Sequence, residues 1–178
     1  QFWAACLFHS LTYLHARGIV HCDIKLPNLI FDDDGYLMLT DFNVSVFLQE
    51  GKAKGTAGTF RYMAPEMMTD KTYTEAVDLW SAGVVLFNLV YLKFPWELDF
   101  TDEENREMET GEGKKLYEKA LKTELPKRSP ITHKHLWRIL RRKAPYYPVM
   151  SEGYSDDLID LMQKLLCPVE ERISAAKV

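Results

Sequence analysis

Cysteine is scarce in this sequence, and a long apolar run is missing. The 178 residues contain only Cys6, Cys22 and Cys167, whose odd number and irregular spacing indicate neither a disulfide framework nor a zinc site. Such cysteines are typical of reduced thiols, so the expected location is cytoplasmic or nuclear. The longest apolar run, residues 82–92, is too short for a membrane span and contains Asn88, and no signal peptide is visible.

An excess of positive charge is also missing. The chain has 22 Lys and Arg residues against 26 Asp and Glu residues, which gives a net charge of −4 and a pI near 5.8. This balance argues against a general nucleic-acid binder. The length is sufficient for one sizeable core, and the first residue is Gln1 rather than Met. We therefore expect one domain, residues 1–178, that is a piece of a longer protein.

Residues 19–43 (IVHCDIKLPNLIFDDDGYLMLTDFN) are the most informative stretch. Residues 29–31 and 36–40 are β-prone runs, and the Asp-Asp-Gly turn signal at residues 33–35 separates them. This pattern predicts a β-hairpin. The hairpin would bring four polar side chains to one end of a tight unit: Asp23, Lys25, Asn28 and Asp41.

These four side chains suit phosphoryl transfer. The Asp23 carboxylate, placed beside Lys25, can accept a proton from a hydroxyl group. The oxygens of Asn28 and Asp41 are hard ligands of the kind that Mg²⁺ prefers. Phosphoryl transfer needs a base, a cation near the phosphate and metal ligands. The alternative is a solvated Asp-rich turn, which would leave the later motifs unexplained.

Four motifs in this order resemble those of eukaryotic protein kinases: HCDIKLPN at 21–28, DFN at 41–43, APE at 64–66 and DLWSAG at 78–83. The resemblance covers nearly the whole chain, but only the C-terminal lobe of a kinase. It implies a mainly α lobe with a short hairpin that carries the catalytic loop, and an absent N-terminal lobe. The resemblance is to the serine/threonine type at Lys25 and Thr59. A finer resemblance, to the YANK subgroup of the AGC kinases, rests on the segments TDFN, AGT and YMAPEM.

The resemblance implies ATP and Mg²⁺ as cofactors and a protein substrate. It gives catalytic roles to Asp23, Lys25 and Thr59, with Thr59 hydrogen-bonded near the other two. It also implies that Asn28 and Asp41 bind Mg²⁺. Three apolar side chains would form the floor under the adenine, although ordinary core packing is an equally good interpretation: Ile30, Val85 and Leu89.

Three helices are predicted around this centre. Apolar residues recur at helical intervals in residues 2–17, and Gly18 is a suitable stop. Residues 75–92 form the most apolar helix, and residues 155–166 form an amphipathic helix with Ser155 as N-cap.

Two carboxylates are expected to hold the lobe together, by the same resemblance. Asp78 would be buried and accept backbone N–H groups around His21, since a buried carboxylate needs such partners. Glu66 would pair with Arg172 in a bidentate ion pair. The role of the Glu66–Arg172 pair would be structural rather than catalytic.

The activation segment, about 41–66, departs from the family pattern. Cys22 stands where an arginine usually binds a phosphate on this segment, and Gly55 has no hydroxyl at the usual phosphorylation position. Switching by that phosphate is therefore not expected. Asn43 replaces a glycine that permits positive φ, and we expect Asn43 to adopt the left-handed conformation that Asn tolerates.

Residues 97–153 resemble a charged insertion, acidic at first and then basic. Residues 97–143 are a possible docking surface, while two solvated faces of opposite charge are the simpler interpretation.

Two functions stay open. The first is part of an active kinase whose N-terminal lobe is missing here, so that this chain alone would be inactive. The second is a non-catalytic pseudokinase or scaffold lobe that binds protein partners. The intact Asp23, Lys25, Asn28 and Asp41 favour the first.

Overall fold

The structure, a computed structural model, describes residues 2–70, 72–95 and 155–178. Its helices and strands follow in chain order: α1 (Phe2–His15), β1 (Ile19–Val20), β2 (Leu29–Phe31), β3 (Leu37–Leu39), β4 (Val46–Phe47), α2 (Pro65–Thr69), α3 (Ala76–Tyr91) and α4 (Asp156–Leu165). Single 3-10 turns lie at Leu26–Asn28, Phe60–Tyr62 and Ala175–Lys177. The predicted charged insertion, 97–153, and the docking surface within it lie outside the described residues.

Helix α1 packs one apolar stripe against the core. Leu7 and Leu11 lie one turn apart on this stripe, and both are buried. The helix ends at His15, and the Gly18 N–H donates to the His15 carbonyl at 2.9 Å. Gly18 has φ +67, so a glycine lets the chain reverse into β1, as the sequence predicts.

Helix α3 is the centre of the core. All residues from Val77 to Phe87 are buried, which matches a segment that is apolar on every face. Gly83 permits a close approach of α4, because a Cβ at this position would lie 2.9 Å from the Leu165 Cβ. The helix ends at Leu92, which caps it in the left-handed conformation with φ +53.

The strands form two separate antiparallel pairs. The predicted hairpin is confirmed: β2 pairs with β3 in the register Leu29↔Leu39, Ile30↔Met38 and Phe31↔Leu37. Its turn is fixed by the Asp32 Oδ1 atom, which accepts the N–H groups of Asp34 at 3.0 Å and Tyr36 at 2.8 Å. The second pair joins β1 to β4 and was not predicted; its register is Ile19↔Phe47 and Val20↔Val46.

Helix α4 lies where the sequence predicts it, but Ser155 does not cap it as expected. Ser155 occupies the N-cap position with extended backbone, and its side chain makes no capping hydrogen bond. Its carbonyl oxygen instead accepts the Leu158 N–H at 3.0 Å, so the backbone alone begins the helix. Across the described ranges, no helix combines the length and apolar character that crossing a bilayer requires.

Candidate active site

The loop after β1 is held in place by one buried carboxylate. Asp78, near the start of α3, is fully buried and accepts the backbone N–H of His21 at 2.8 Å and of Cys22 at 2.9 Å. The predicted role of Asp78 is confirmed. His15 of α1 also donates to Asp78 through Nε2 at 3.0 Å, a partner that the helical sequence around His15 gave no reason to expect. Three hydrogen bonds thus compensate the burial of this charge.

The loop brings Asp23, Lys25 and Thr59 into one closed set of hydrogen bonds. Lys25 Nζ donates to Asp23 Oδ2 at 2.7 Å and to Thr59 Oγ1 at 3.0 Å. The Thr59 hydroxyl donates in turn to Asp23 Oδ1 at 2.7 Å. The predicted contact of Thr59 with the other two residues is therefore confirmed, although Thr59 lies 36 residues after Asp23.

The Asp23 carboxylate is ionised at neutral pH. Burial raises the pKa of Asp23, but the hydrogen bonds from Lys25 and Thr59 and the charge of Lys25 outweigh it, and the pKa lies below its ordinary value. An ionised carboxylate only accepts hydrogen bonds. Asp23 is thus prepared to accept a proton from a bound hydroxyl group.

Asn28 lies beside this set at the end of a 3-10 turn. Its Nδ2 atom donates to the Asp23 carbonyl oxygen at 2.9 Å and to Asp23 Oδ2 at 3.3 Å. Both partners accept hydrogen bonds only, so the amide nitrogen must face Asp23 and the Oδ1 atom faces away from it. The Asn28 carbonyl also accepts the Thr40 N–H at 2.9 Å, which ties this loop to the residue before Asp41.

Asp41 follows β3 with its side chain exposed and its backbone in the left-handed region, at φ +64. The next residue, Phe42, packs edge-on against the His21 ring with the ring centroids 4.8 Å apart. The expectation for Asn43 was wrong: Asn43 does not have positive φ, because the chain reverses at Asp41 instead. The Asn43 amide has a different contact and donates to Asp41 Oδ1 at 2.7 Å.

The family model for the protein kinase domain matches residues 1–178. This chain belongs to the protein kinase family. The human ribosomal protein S6 kinase-related protein is 45% identical over 96 residues, which are 53% of this chain and 23% of that relative. CBL-interacting protein kinase 3 from rice (Oryza sativa subsp. japonica) is 43% identical over 96 residues, 51% of this chain and 22% of that relative.

A third relative of this kinase domain is named a serine/threonine-protein kinase. Human RAC-beta serine/threonine-protein kinase is 39% identical over 101 residues, which are 54% of this chain and 20% of that relative. The matched part is thus only 20% to 23% of the length of these three relatives. The family match and the serine/threonine-protein kinase among these relatives thus agree on the protein kinase family.

The side chains of this kinase domain fit Mg²⁺. Asp41 and Asn28 offer hard oxygen atoms, and the Thr40–Asn28 hydrogen bond holds their two loops together. In the described ranges, no group of three or more His, Cys, Asp or Glu side chains could hold a metal ion by itself. Proteins commonly bind Mg²⁺ through one or two carboxylates together with the phosphates of a nucleotide.

The three residues predicted for the adenine floor differ in exposure. Val85 is 1% exposed and packs within the core, as the second interpretation of this residue expects. Ile30 of β2 is 44% exposed and Leu89 of α3 is 52% exposed, so both present apolar surface to solvent. The adenine-binding role of Ile30, Val85 and Leu89 stays a prediction.

The activation segment of the kinase domain is hydrogen-bonded to α2 and to the residues that follow it. Ala53 and Tyr73 form an antiparallel bridge, with N–H···O distances of 2.8 and 3.0 Å. Thr56 Oγ1 donates to the Met67 carbonyl at 3.2 Å, and the Tyr73 hydroxyl lies 3.7 Å from Cys22 Sγ. Sequence reasoning missed Tyr73, because nothing local marks a residue that reaches the catalytic loop.

Gly58 of the activation segment lies close to the backbone of Cys22 in the catalytic loop. Gly58 has φ +100, and a Cβ at this position would lie 2.1 Å from the Cys22 carbonyl oxygen. Only glycine fits such a position. Burial raises the pKa of the Cys22 thiol to about 11, so the side chain that replaces the usual arginine is neutral at physiological pH.

Glu66 and Arg172 form the predicted bidentate ion pair. Arg172 Nη1 donates to Glu66 Oε1, and Nη2 donates to Glu66 Oε2 at 3.2 Å. Arg172 Nη1 also donates to the Ala76 carbonyl at 2.8 Å, which links the pair to the start of α3. The Arg172 side chain is fully buried and Glu66 is 7% exposed, so the pair is shielded from solvent.

Proposed function

We propose that this chain is the C-terminal lobe of a serine/threonine protein kinase, which with its N-terminal lobe transfers the γ-phosphoryl group of ATP to protein hydroxyls. The observation that carries this proposal is the closed set of Asp23, Lys25 and Thr59. All three hydrogen bonds in this set are 3.0 Å or shorter. A solvated turn would not require these partners, since the set spans two distant parts of the sequence.

Asp23 acts as the base that orients the substrate. Its ionised carboxylate accepts a hydrogen bond from the serine or threonine hydroxyl and takes the proton as the oxygen attacks the γ-phosphorus. Oδ1 already accepts from Thr59 and Oδ2 from Lys25, so the carboxylate is fixed in one orientation before substrate binds. Such fixed positioning lowers the entropy cost of reaching the transition state.

Lys25 supplies positive charge to the transferred group. Its ammonium has three N–H donors, of which two are directed to Asp23 and Thr59. The third is available for an oxygen of the γ-phosphoryl group, whose negative charge it stabilises. Asn28 Oδ1 and the Asp41 carboxylate would hold Mg²⁺, which when bound offsets charge on the nucleotide phosphates.

The activation segment supports activity without phosphorylation of this segment. The Ala53–Tyr73 bridge and the Thr56–Met67 hydrogen bond hold it beside the catalytic loop through uncharged contacts. Cys22 does not offer the forked donor that an arginine gives a phosphate. An intracellular location and docking through residues 97–143 are further parts of this proposal.

The test is the Asp23→Asn variant of the full-length protein. Asparagine keeps the size of Asp23 but does not take a proton, so turnover should fall about 10²- to 10⁴-fold, while the affinity for Mg-ATP stays within about threefold. The matched control is Asp34→Asn, the same change on an exposed turn residue outside the site. Unchanged turnover in Asp23→Asn would contradict the role of Asp23 as the base. ATP binding with no turnover in the unmodified protein would favour the non-catalytic alternative.

A further inference from the structure

The amide of Asn43 is directed at the carboxylate proposed to bind the metal. Its Nδ2 atom donates to Asp41 Oδ1 at 2.7 Å, a short distance for a neutral donor. The two residues are separated only by Phe42, whose ring is fixed against His21. The glycine that the family pattern places at this position has no side chain and therefore no such donor.

This hydrogen bond makes the two oxygens of Asp41 unequal. Oδ1 accepts the Asn43 amide, whereas Oδ2 remains for a cation. A cation that bound both oxygens at once would compete with the Asn43 hydrogen bond, because cation and N–H proton would share the electron density of Oδ1. The exposed Asp41 side chain, on a backbone with φ +64, gains a fixed orientation from the same contact.

We propose that Asn43 is a positioning residue that presents Asp41 to Mg²⁺ through one oxygen and thereby disfavours larger divalent cations. Mg²⁺ demands near-octahedral geometry at 2.0–2.1 Å and takes single carboxylate oxygens readily. Ca²⁺ prefers more ligands at 2.3–2.6 Å and gains from bidentate carboxylates. The inference rests on the proposed function, since it concerns the cation that accompanies the nucleotide at this site.

The experiment compares the affinity of the full-length protein for a fluorescent, non-hydrolysable ATP analogue in excess Mg²⁺ and in excess Ca²⁺. The ratio of the two dissociation constants measures the cation preference without any turnover. Asn43→Ala is the variant, because alanine removes the amide and is compatible with a backbone that does not have positive φ. An exposed hydrogen bond to a charged group predicts that the preference for Mg²⁺ falls about three- to tenfold.

A double-mutant cycle with Asp41→Asn supplies the control. If Asn43 acts through Asp41, Asn43→Ala should change the ratio by less than about twofold in the Asp41→Asn background. An unchanged ratio in Asn43→Ala alone, or an equal change in both backgrounds, would overturn the inference while leaving the kinase proposal intact. Nucleotide binding that depends on neither cation in the unmodified protein would overturn the proposed function, and the inference with it.

Discussion

Replacing Gly58 with alanine should move Thr59 out of its hydrogen bonds with Asp23 and Lys25. A Cβ at Gly58 would lie 2.1 Å from the Cys22 carbonyl oxygen, where side-chain carbons keep at least 3.0 Å. The contact must therefore open by about 0.9 Å. Alanine also strains a backbone with φ +100 by about 1–3 kcal/mol.

The catalytic loop cannot easily provide this movement. The Cys22 N–H is held by the buried Asp78 carboxylate at 2.9 Å, and the neighbouring His21 N–H by the same carboxylate at 2.8 Å. The displacement therefore falls on Gly58 and the next residue, Thr59, whose hydroxyl lies 2.7 Å from Asp23. A misplacement of about 1 Å in a catalytic set costs on the order of 10²-fold in turnover.

The measurement is kcat of the full-length protein, together with its urea unfolding. Gly55→Ala is the matched control, because Gly55 has a similar φ of +94 but nothing within 4 Å of its Cβ position. Both variants should lose stability, and only Gly58→Ala should lose about 10²-fold in kcat. Equal kcat values in the two variants would refute the argument, because backbone strain alone would then account for the effect.

Two further outcomes concern stability. Arg172→Met should lower the free energy of unfolding by about 3–5 kcal/mol, because it leaves Glu66 buried without its partner. Lys164→Met, at the exposed pair with Asp160, should lower it by less than about 1 kcal/mol. Similar losses for the two variants in urea unfolding would contradict this. Burial raises the pKa of the Cys22 thiol from 9.0 in the unfolded chain to about 11 in the folded chain. The contribution of this neutral thiol to the free energy of unfolding is therefore fully present below pH 9.0 and is lost as the pH rises toward 11. Between about pH 8 and about pH 10 this loss is about 1.4 kcal/mol. Cys22→Ala should reduce the pH dependence of the free energy of unfolding by that amount. An identical pH dependence in both proteins would contradict the prediction.

Local signals were sufficient for the longer elements of the fold. Helices α1 and α3 carry apolar residues at helical spacing, and the β2–β3 hairpin has a turn signal between two β-prone runs. The pairing of β1 with β4 was missed, because each strand has only two residues and the partners are separated by the whole hairpin. Short strands of this kind are stabilised by tertiary contacts and carry no periodic signal.

The site was predictable where residue type alone determines the chemistry. Asp23, Lys25, Asn28 and Asp41 could be selected from their order and spacing, and the structure brings Asp23, Lys25 and Asn28 into hydrogen-bond contact. The tolerance of Asn for positive φ did not predict the backbone conformation of Asn43. The chain takes its positive φ at Asp41 instead, so Asn43 does not need one. A tertiary contact likewise determines the partner of His15.

The most direct test of the central claim is the transfer of labelled γ-phosphate from Mg-ATP to protein by the full-length protein. The account predicts that hydrolysis of the labelled product yields phosphoserine or phosphothreonine, and that the label falls about 10²- to 10⁴-fold in Asp23→Asn. Label found only on tyrosine would contradict the serine/threonine assignment. Undiminished label in Asp23→Asn would contradict the role of Asp23 itself.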